Sequence, residues 1–125
     1  MYIYANPNPN NNQTDDCVIR ALSIAMNKSW DDVYVELALT GFMLKDMMDK
    51  NKVWGRYLRD NGFRRYSLPN TCPDCYTVKD FCEDYPEGTY ITATGTHVIA
   101  VINGNHYDTW NSENEALMAF WKKEN

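Results

Sequence analysis

Hydrophobic and polar positions follow a helical period in the first half of the chain. From Cys17 onward, apolar residues recur at helical spacing in a stripe wide enough to predict a helix buried on most sides. A second helix is predicted to begin at Ser29, a capping residue, and to stop at about Gly41. A third helical pattern passes through residues 53–58 and ends at Asn61-Gly62.

Short β-rich runs dominate the second half of the chain. One helix interrupts them at about 77–84, where Thr77 and Asp80 form a capping-box pattern. Asn103-Gly104 is the pair most typical of a two-residue hairpin turn, so the runs on either side of it are predicted to be antiparallel partners. Residues 113–123 fit a helix or an edge strand, and the helix is preferred. The predicted strands are 63–68, 89–94, 97–102 and 105–110.

Helices first and an antiparallel sheet afterwards predict an α+β fold in one domain that spans residues 1–125. Residues 1–14 are predicted to be a polar arm, because most of this stretch is rich in Asn and Pro and has no periodicity. Residues 15–62 then form the helical part. Residues 63–125 form the sheet part, which includes the helix at about 77–84.

Composition narrows the classes of partner and the cellular compartment. With 44% hydrophobic residues the chain is globular, and its net charge of −5 argues against nucleic acid or an acidic membrane surface as the main partner. No apolar run approaches the roughly 18 residues needed to span a bilayer. The N-terminus lacks the pattern of a signal peptide, so a cytoplasmic protein with four reduced thiols is expected.

Cys17 is the first candidate for chemistry because it stands at the start of a predicted helix. Unpaired backbone N–H groups and the helix dipole favour negative charge there, so the position stabilises a thiolate, the nucleophilic form of cysteine. Asp15 or Asp16 is predicted to cap this helix. Their negative charge raises the pKa of a nearby thiol, so Cys17 needs a basic partner.

The predicted hairpin supplies a basic partner if its turn is the two-residue Asn103-Gly104. Ile99 then lies opposite Asp108, and His97 becomes the diagonal neighbour of Asp108, at about 7–8 Å on the same face. A carboxylate that holds one imidazole nitrogen leaves the other free as a base. A three-residue turn would move Asp108 to the opposite face. His106 lies roughly 13 Å further along the strand, so His97 is the preferred base.

These residues resemble the core of papain-like cysteine peptidases. The resemblance is carried by Asp16-Cys17 at the head of a buried helix, by Thr96-His97-Val98-Ile99-Ala100-Val101, and by Tyr107-Asp108-Thr109-Trp110. The order Cys, His, Asp is shared with peptidases of bacteriocin exporters, transglutaminases and arylamine acetyltransferases, and the pattern is similar to small papain-like proteins of phages and gut bacteria. The resemblance implies that Cys17 is the nucleophile, His97 the general base and acid, and Asp108 the residue that orients His97.

The position of the oxyanion donor departs from the papain-like pattern. That family usually places a Gln six residues before the cysteine, where this chain has Asn11. Gln13, four residues before Cys17, is the preferred donor because its amide could act beside the Cys17 backbone N–H. Asn11 and Asn12 are close rivals.

The remaining cysteines, Cys72, Cys75 and Cys82, allow three interpretations. With His106 they could complete a zinc site, although the second half of the motif lacks the paired spacing of a zinc ribbon. The CxxC spacing would also suit a redox dithiol. A structural loop with reduced thiols is favoured over both.

The sequence therefore predicts a cysteine-dependent hydrolase or acyltransferase that acts on a peptide, isopeptide or amide bond of a peptide or protein substrate. Its site residues would be Cys17, His97 and Asp108, with Gln13 as oxyanion donor and with no cofactor or metal. The alternatives are a non-catalytic binding or inhibitor protein on the same scaffold, of the kind a phage directs at a host partner, and a zinc-stabilised interaction module.

Overall fold

The structure of the protein is a computed structural model that describes residues 1–124. Within these residues it has four helices and a six-stranded sheet, which confirms the predicted α+β class. The helices are α1 (Cys17–Met26), α2 (Trp30–Leu44), α3 (Asn51–Asp60) and α4 (Val78–Asp84). The strands are β1 (Tyr2–Tyr4), β2 (Phe63–Ser67), β3 (Thr89–Ala93), β4 (Val98–Ile102), β5 (Asn105–Asp108) and β6 (Ala119–Lys123).

The sheet is mixed, whereas the sequence predicted an antiparallel one. Its strand order is β1-β5-β4-β3-β6-β2, and β1 runs parallel to β5 while the other neighbours are antiparallel. The predicted polar arm is therefore wrong at residues 2–4, where Tyr2 pairs with His106 and Ile3 with Tyr107. The alternating aromatic and β-branched residues of this segment suit a strand. Its pairing with β5 satisfies backbone groups that β5 would otherwise expose at the sheet edge.

The preferred helix at residues 113–123 is also wrong. Residues 119–123 form β6, which lies between β3 and β2 inside the sheet. Phe120 and Trp121 are both buried, and they join hydrophobic clusters on opposite faces of the sheet. A strand sends successive side chains to opposite faces, whereas a helix would direct these two neighbours toward nearly the same side. Burial of Phe120 on one face and Trp121 on the other therefore requires a strand at this position.

Helix α2 begins as predicted but passes through its predicted stop. Ser29 caps it by accepting a hydrogen bond from the Asp32 backbone N–H at 3.0 Å. The helix continues beyond Gly41 and ends where Lys45 takes a left-handed conformation, with φ of 58°. Gly41 is buried, and a Cβ built there would lie 2.7 Å from the Asp46 carbonyl oxygen. Glycine is therefore needed here for close packing and does not end the helix.

The core lies on both faces of the sheet. Helices α1, α2 and α3 pack on one face around Leu22, Leu58 and Ile91, and α4 packs on the other around Phe81. Helix α1 packs on β4, and the first residues of both elements, Cys17 and Val98, line one cleft. Among the described residues, no helix is both long enough and apolar enough to traverse a lipid bilayer.

Candidate active site

The first turn of α1 differs from the predicted cap. Asp16 precedes the helix, but its carboxylate makes no capping hydrogen bond. It accepts a hydrogen bond from Trp30 Nε1 at 2.9 Å and forms an ion pair with Arg20, one turn further along the helix. The predicted capping by Asp15 or Asp16 is thus wrong. The backbone N–H groups at this end stay available beside Cys17, the first residue of α1.

The β4–β5 hairpin has the predicted register. Ile102 pairs with Asn105 and Ala100 with Tyr107, and Asn103-Gly104 forms a two-residue turn with both φ angles positive. This register brings His97, immediately before β4, to Asp108, at the end of β5. His97 Nε2 donates a hydrogen bond to Asp108 Oδ2 at 2.6 Å.

Cys17 and His97 face the same cleft, which has a volume of about 520 Å³. The thiol lies close enough to the His97 imidazole and to the Val98 backbone N–H for both to lower its pKa. Since Asp108 holds Nε2 of the imidazole, Nδ1 is the nitrogen left for the thiol. The structure therefore brings the three predicted site residues, Cys17, His97 and Asp108, to one place.

The electrostatics of the site lower the pKa of the thiol and raise that of the imidazole. Burial alone would raise the pKa of Cys17, but hydrogen bonds from His97 and Val98, together with the charges of His97 and Arg20, lower that pKa below its ordinary value. Burial alone would lower the pKa of His97, yet hydrogen bonds with Asp108 and Cys17 outweigh it and raise the pKa to about 9. For Asp108 the cost of burial is outweighed chiefly by the His97 hydrogen bond, so its pKa falls.

Asp108 is held by more donors than sequence reasoning identified. Ser112 Oγ donates to Oδ2 at 2.9 Å, the Thr109 backbone N–H donates to Oδ1 at 2.8 Å, and Arg20 Nη2 lies 3.5 Å from Oδ1. The sequence does point to Arg20, because it is a charged residue inside an apolar helix and stands four positions after Asp16, the spacing of a helical ion pair. Nothing in the sequence distinguishes Ser112, because serine is common in turns.

Trp110 packs beside the imidazole at the wall of the cleft. Its ring centroid lies 5.1 Å from that of His97, and the side chain is 46% exposed at the wall of the cleft. An indole in this position limits water around the hydrogen bond between His97 and Asp108, which strengthens that bond. Trp110 stands in the Tyr107-Asp108-Thr109-Trp110 motif, and no sequence pattern predicted a role for its side chain.

Gln13 lines the cleft together with Cys17, while its two rivals lie outside it. The Asn11 side-chain oxygen accepts a hydrogen bond from Asn6 at 3.2 Å, and the same Asn6 amide donates to the Asn12 carbonyl. These contacts tie the segment before Cys17 into a compact loop. The location of Gln13 suits an oxyanion donor, and this role remains a prediction.

His106 belongs to a separate buried pair. Its Nδ1 lies 3.9 Å from the Cys82 sulfur, and its Nε2 donates to Asn111 Oδ1 at 3.2 Å. Burial raises the pKa of Cys82 and lowers that of His106, so both groups are neutral near pH 7. A neutral thiol sealed in the core is a poor nucleophile, which separates this pair from Cys17.

The interpretation of Cys72 and Cys75 as reduced thiols is wrong in this structure. The two residues form a disulfide across a tight turn, with Cα atoms 4.2 Å apart. Their sulfurs therefore do not meet Cys82, which packs against His106 instead. Within residues 1–124, no three His, Cys, Asp or Glu side chains are grouped as metal ligands would be. The structure thus does not assemble the predicted zinc ligand set.

Comparisons of the chain with protein-family models, with curated proteins and with solved structures found no match. The chemistry of the cleft is therefore the basis for a functional assignment. A thiolate beside an imidazolium can attack an electrophilic carbon and then deliver a proton to the group that leaves. The carboxylate of Asp108 keeps the imidazole oriented for both steps.

Proposed function

We propose that the protein is a cysteine-dependent hydrolase or acyltransferase that acts on peptide, isopeptide or amide bonds. One observation carries the proposal. A partly exposed thiol with a lowered pKa lies in an open cleft beside an imidazole, and a buried carboxylate holds that imidazole at 2.6 Å. Structural cysteines are usually inert in apolar surroundings, and the pKa of Cys82, which burial raises, is typical of that class.

The proposed reaction starts when Cys17 Sγ attacks the carbonyl carbon of the substrate and forms a tetrahedral intermediate. The Cys17 backbone N–H and the Gln13 amide would donate hydrogen bonds to the oxyanion. His97 Nδ1 then gives its proton to the leaving nitrogen as the C–N bond breaks, which leaves a thioester on Cys17. Water or an acceptor amine attacks the thioester while His97 takes its proton, and the thiolate is released.

A papain-like fold is the architecture that we propose to underlie this chemistry. The nucleophile at the start of a buried helix, the base at the start of a strand and the carboxylate on the neighbouring strand support it. The packing of α1 on β4 brings the first two of these groups together. A fold alone does not fix an activity, so the proposal depends on the site.

A binding protein on the same scaffold is the second candidate. It is favoured by α2, on which Val35, Leu39, Phe42 and Met43 expose between 56% and 77% of their surface. An apolar patch on a helix is typical of a surface that contacts another protein. Binding through α2 would not require a reactive thiol, so the two candidates make different predictions for Cys17.

An acyl probe with an electrophilic carbonyl separates these candidates. We expect wild-type protein to form a covalent adduct that peptide mapping locates at Cys17, and we expect Cys17→Ser to lose it. Cys82→Ser is the matched control, because it removes the other free thiol and leaves the cleft intact. Labelling that is absent from the folded wild type, or that persists in Cys17→Ser, would contradict the catalytic proposal.

A further inference from the structure

A buried ionic contact links the helix that carries Cys17 to the carboxylate behind His97. Arg20 lies one turn after Cys17, and its side chain is 10% exposed. Nη1 pairs with Asp16 Oδ1, and Nη2 lies 3.5 Å from Asp108 Oδ1, so the guanidinium spans two buried carboxylates. Asp16 and Asp108 are 92 positions apart in the chain, and Arg20 is the group that connects them.

The contact completes a row of charges with alternating sign. In order the groups are Asp16, Arg20, Asp108, His97 and Cys17, and the alternation is complete when the last two are an imidazolium and a thiolate. Each inner member lies between two opposite charges, which offsets the cost of burying it. At the outer end, hydrogen bonds from Trp30 and Asn8 hold the Asp16 carboxylate.

We propose that Arg20 is a positioning residue for the acyl-transfer reaction: it fixes Asp108 relative to α1 and supplies positive charge that favours the Cys17 thiolate. This inference rests on the proposed function. The other donors to the Asp108 carboxylate are His97, Thr109 and Ser112, which belong to the hairpin and the turn after it. Arg20 alone among these donors ties the carboxylate to the helix of the nucleophile.

The guanidinium suits both tasks because its planar fork can contact two carboxylates at once. A lysine would bring the same charge but only a compact ammonium, which cannot reproduce the fork. Arg20 also explains why Asp16 can lie next to the nucleophile, since the ion pair with Arg20 offsets the negative charge of the Asp16 carboxylate. The predicted conflict between the aspartates and the thiol is thereby reduced.

The charged groups around the thiol come from several elements. Arg20 belongs to α1 and Asp16 immediately precedes it, while His97 precedes β4 and Asp108 ends β5. Asp15 and Asp49 line the cleft from the loops before α1 and after α2. Every one of these side chains except Arg20 and the imidazolium is acidic. Removal of Arg20 therefore leaves a more negative surrounding, which must raise the pKa of the thiol.

The experiment measures the rate of Cys17 alkylation by iodoacetamide from about pH 5 to about pH 10 in the full chain. We expect Arg20→Met to be alkylated about threefold more slowly than wild type at about pH 6, because the thiolate fraction falls as the pKa rises. At the alkaline end the two rates should converge. Arg20→Lys should recover most of the rate at about pH 6. Arg56→Met is the matched control, because Arg56 forms an i,i+4 pair with Asp60 that is exposed.

A purely structural role for Arg20 would leave the pH dependence of alkylation unchanged, and that result from folded Arg20→Met would overturn the inference. If wild-type Cys17 itself shows an ordinary thiol pKa, the proposed function fails instead, so the two failures are distinguishable.

A measurement on the wild type covers the case in which Arg20→Met does not fold. The Nη signals of Arg20 in the NMR spectrum of ¹⁵N-labelled protein should be separate, because two carboxylates restrain the guanidinium, and they should shift when Cys17 is alkylated. Averaged signals that resemble those of Arg56, or no response to alkylation, would overturn the inference.

Discussion

His97 and Asp108 are joined by a hydrogen bond of 2.6 Å between Nε2 and Oδ2, and the hairpin that separates them sets this distance. The turn has two residues, and both of them, Asn103 and Gly104, have positive φ. One residue more in the turn would send Asp108 to the other face of the sheet. The relationship between base and carboxylate thus depends on local turn chemistry as much as on the packing around the site.

Replacement of Asp108 by asparagine should lower the pKa of His97 from about 9, because the carboxylate is a main cause of the raised value. An NMR titration of the imidazole measures this change. The rate of acyl transfer should fall by about 10³- to 10⁴-fold, as expected when an imidazole loses its orienting carboxylate. Asp60→Asn is the control, since its carboxylate belongs to an exposed pair on α3. An unchanged pKa of His97 in Asp108→Asn would contradict the assigned contact.

Loss of the Ser112 hydroxyl should destabilise the fold by about 1–3 kcal/mol, because Asp108 Oδ2 loses a donor in a buried site. Urea unfolding of Ser112→Ala measures the effect. Ser67→Ala offers a comparison, since the Ser67 hydroxyl is exposed and accepts only from Arg65. Equal free energies of unfolding for the two variants would show that the buried hydrogen bond from Ser112 does not contribute to stability.

The turnover rate should depend on pH as a bell-shaped curve. The nucleophile must lose its proton, so activity rises with pH through the pKa of Cys17, which lies below its ordinary value. The leaving nitrogen needs a proton from His97, so activity falls as pH rises through about 9. A steady-state pH profile with a peptide or amide substrate measures both limbs, which belong to the coupled pair. Activity that keeps rising well above pH 9 would conflict with His97 as the acid.

The packing of α1 on the sheet should carry a large part of the stability. Leu22 is completely buried in this layer, so Leu22→Ala should lower the free energy of unfolding by about 2–5 kcal/mol. Leu39→Ala removes the same atoms from a side chain of α2 that is 56% exposed. Its effect should stay within about 0.5 kcal/mol. Similar midpoints in thermal or urea unfolding for the two variants would contradict this description of the core.

The parts of the fold that local chemistry controls could be predicted from the sequence. Ser29 and Thr77 cap their helices as expected, and Asn103-Gly104 forms the expected turn with the expected register. Each of these features depends on residues that are close in the chain. The meeting of His97 with Asp108 follows from that register, which is why sequence reasoning could reach it.

Features that depend on distant partners could not be predicted. Residues 119–123 become a strand because the sheet buries Phe120 and Trp121 on opposite faces, and no local pattern shows this. Tyr2 pairs with His106, which lies more than one hundred positions away in the chain. Arg20 shows its local pair with Asp16 in the sequence, but its contact with Asp108 is formed only by the packed fold.

The cysteines illustrate a limit of a different kind. The spacing of Cys72 and Cys75 is compatible with reduced thiols, a metal site or a disulfide, and the structure contains the disulfide. Cys82 and His106 have the residue types of a reactive pair. Burial keeps both groups neutral, and burial cannot be predicted from the spacing of residues in the sequence.

The rate of Cys17 alkylation by iodoacetamide as a function of pH, followed by mass spectrometry of the Cys17 peptide, tests the central claim most directly. We expect Cys17 to react selectively over the buried Cys82, with an apparent pKa below the ordinary thiol value of 9.0, and we expect His97→Gln to bring that pKa back up. Slow alkylation of Cys17 that rises only near the ordinary thiol pKa and is the same in wild type and His97→Gln would contradict it.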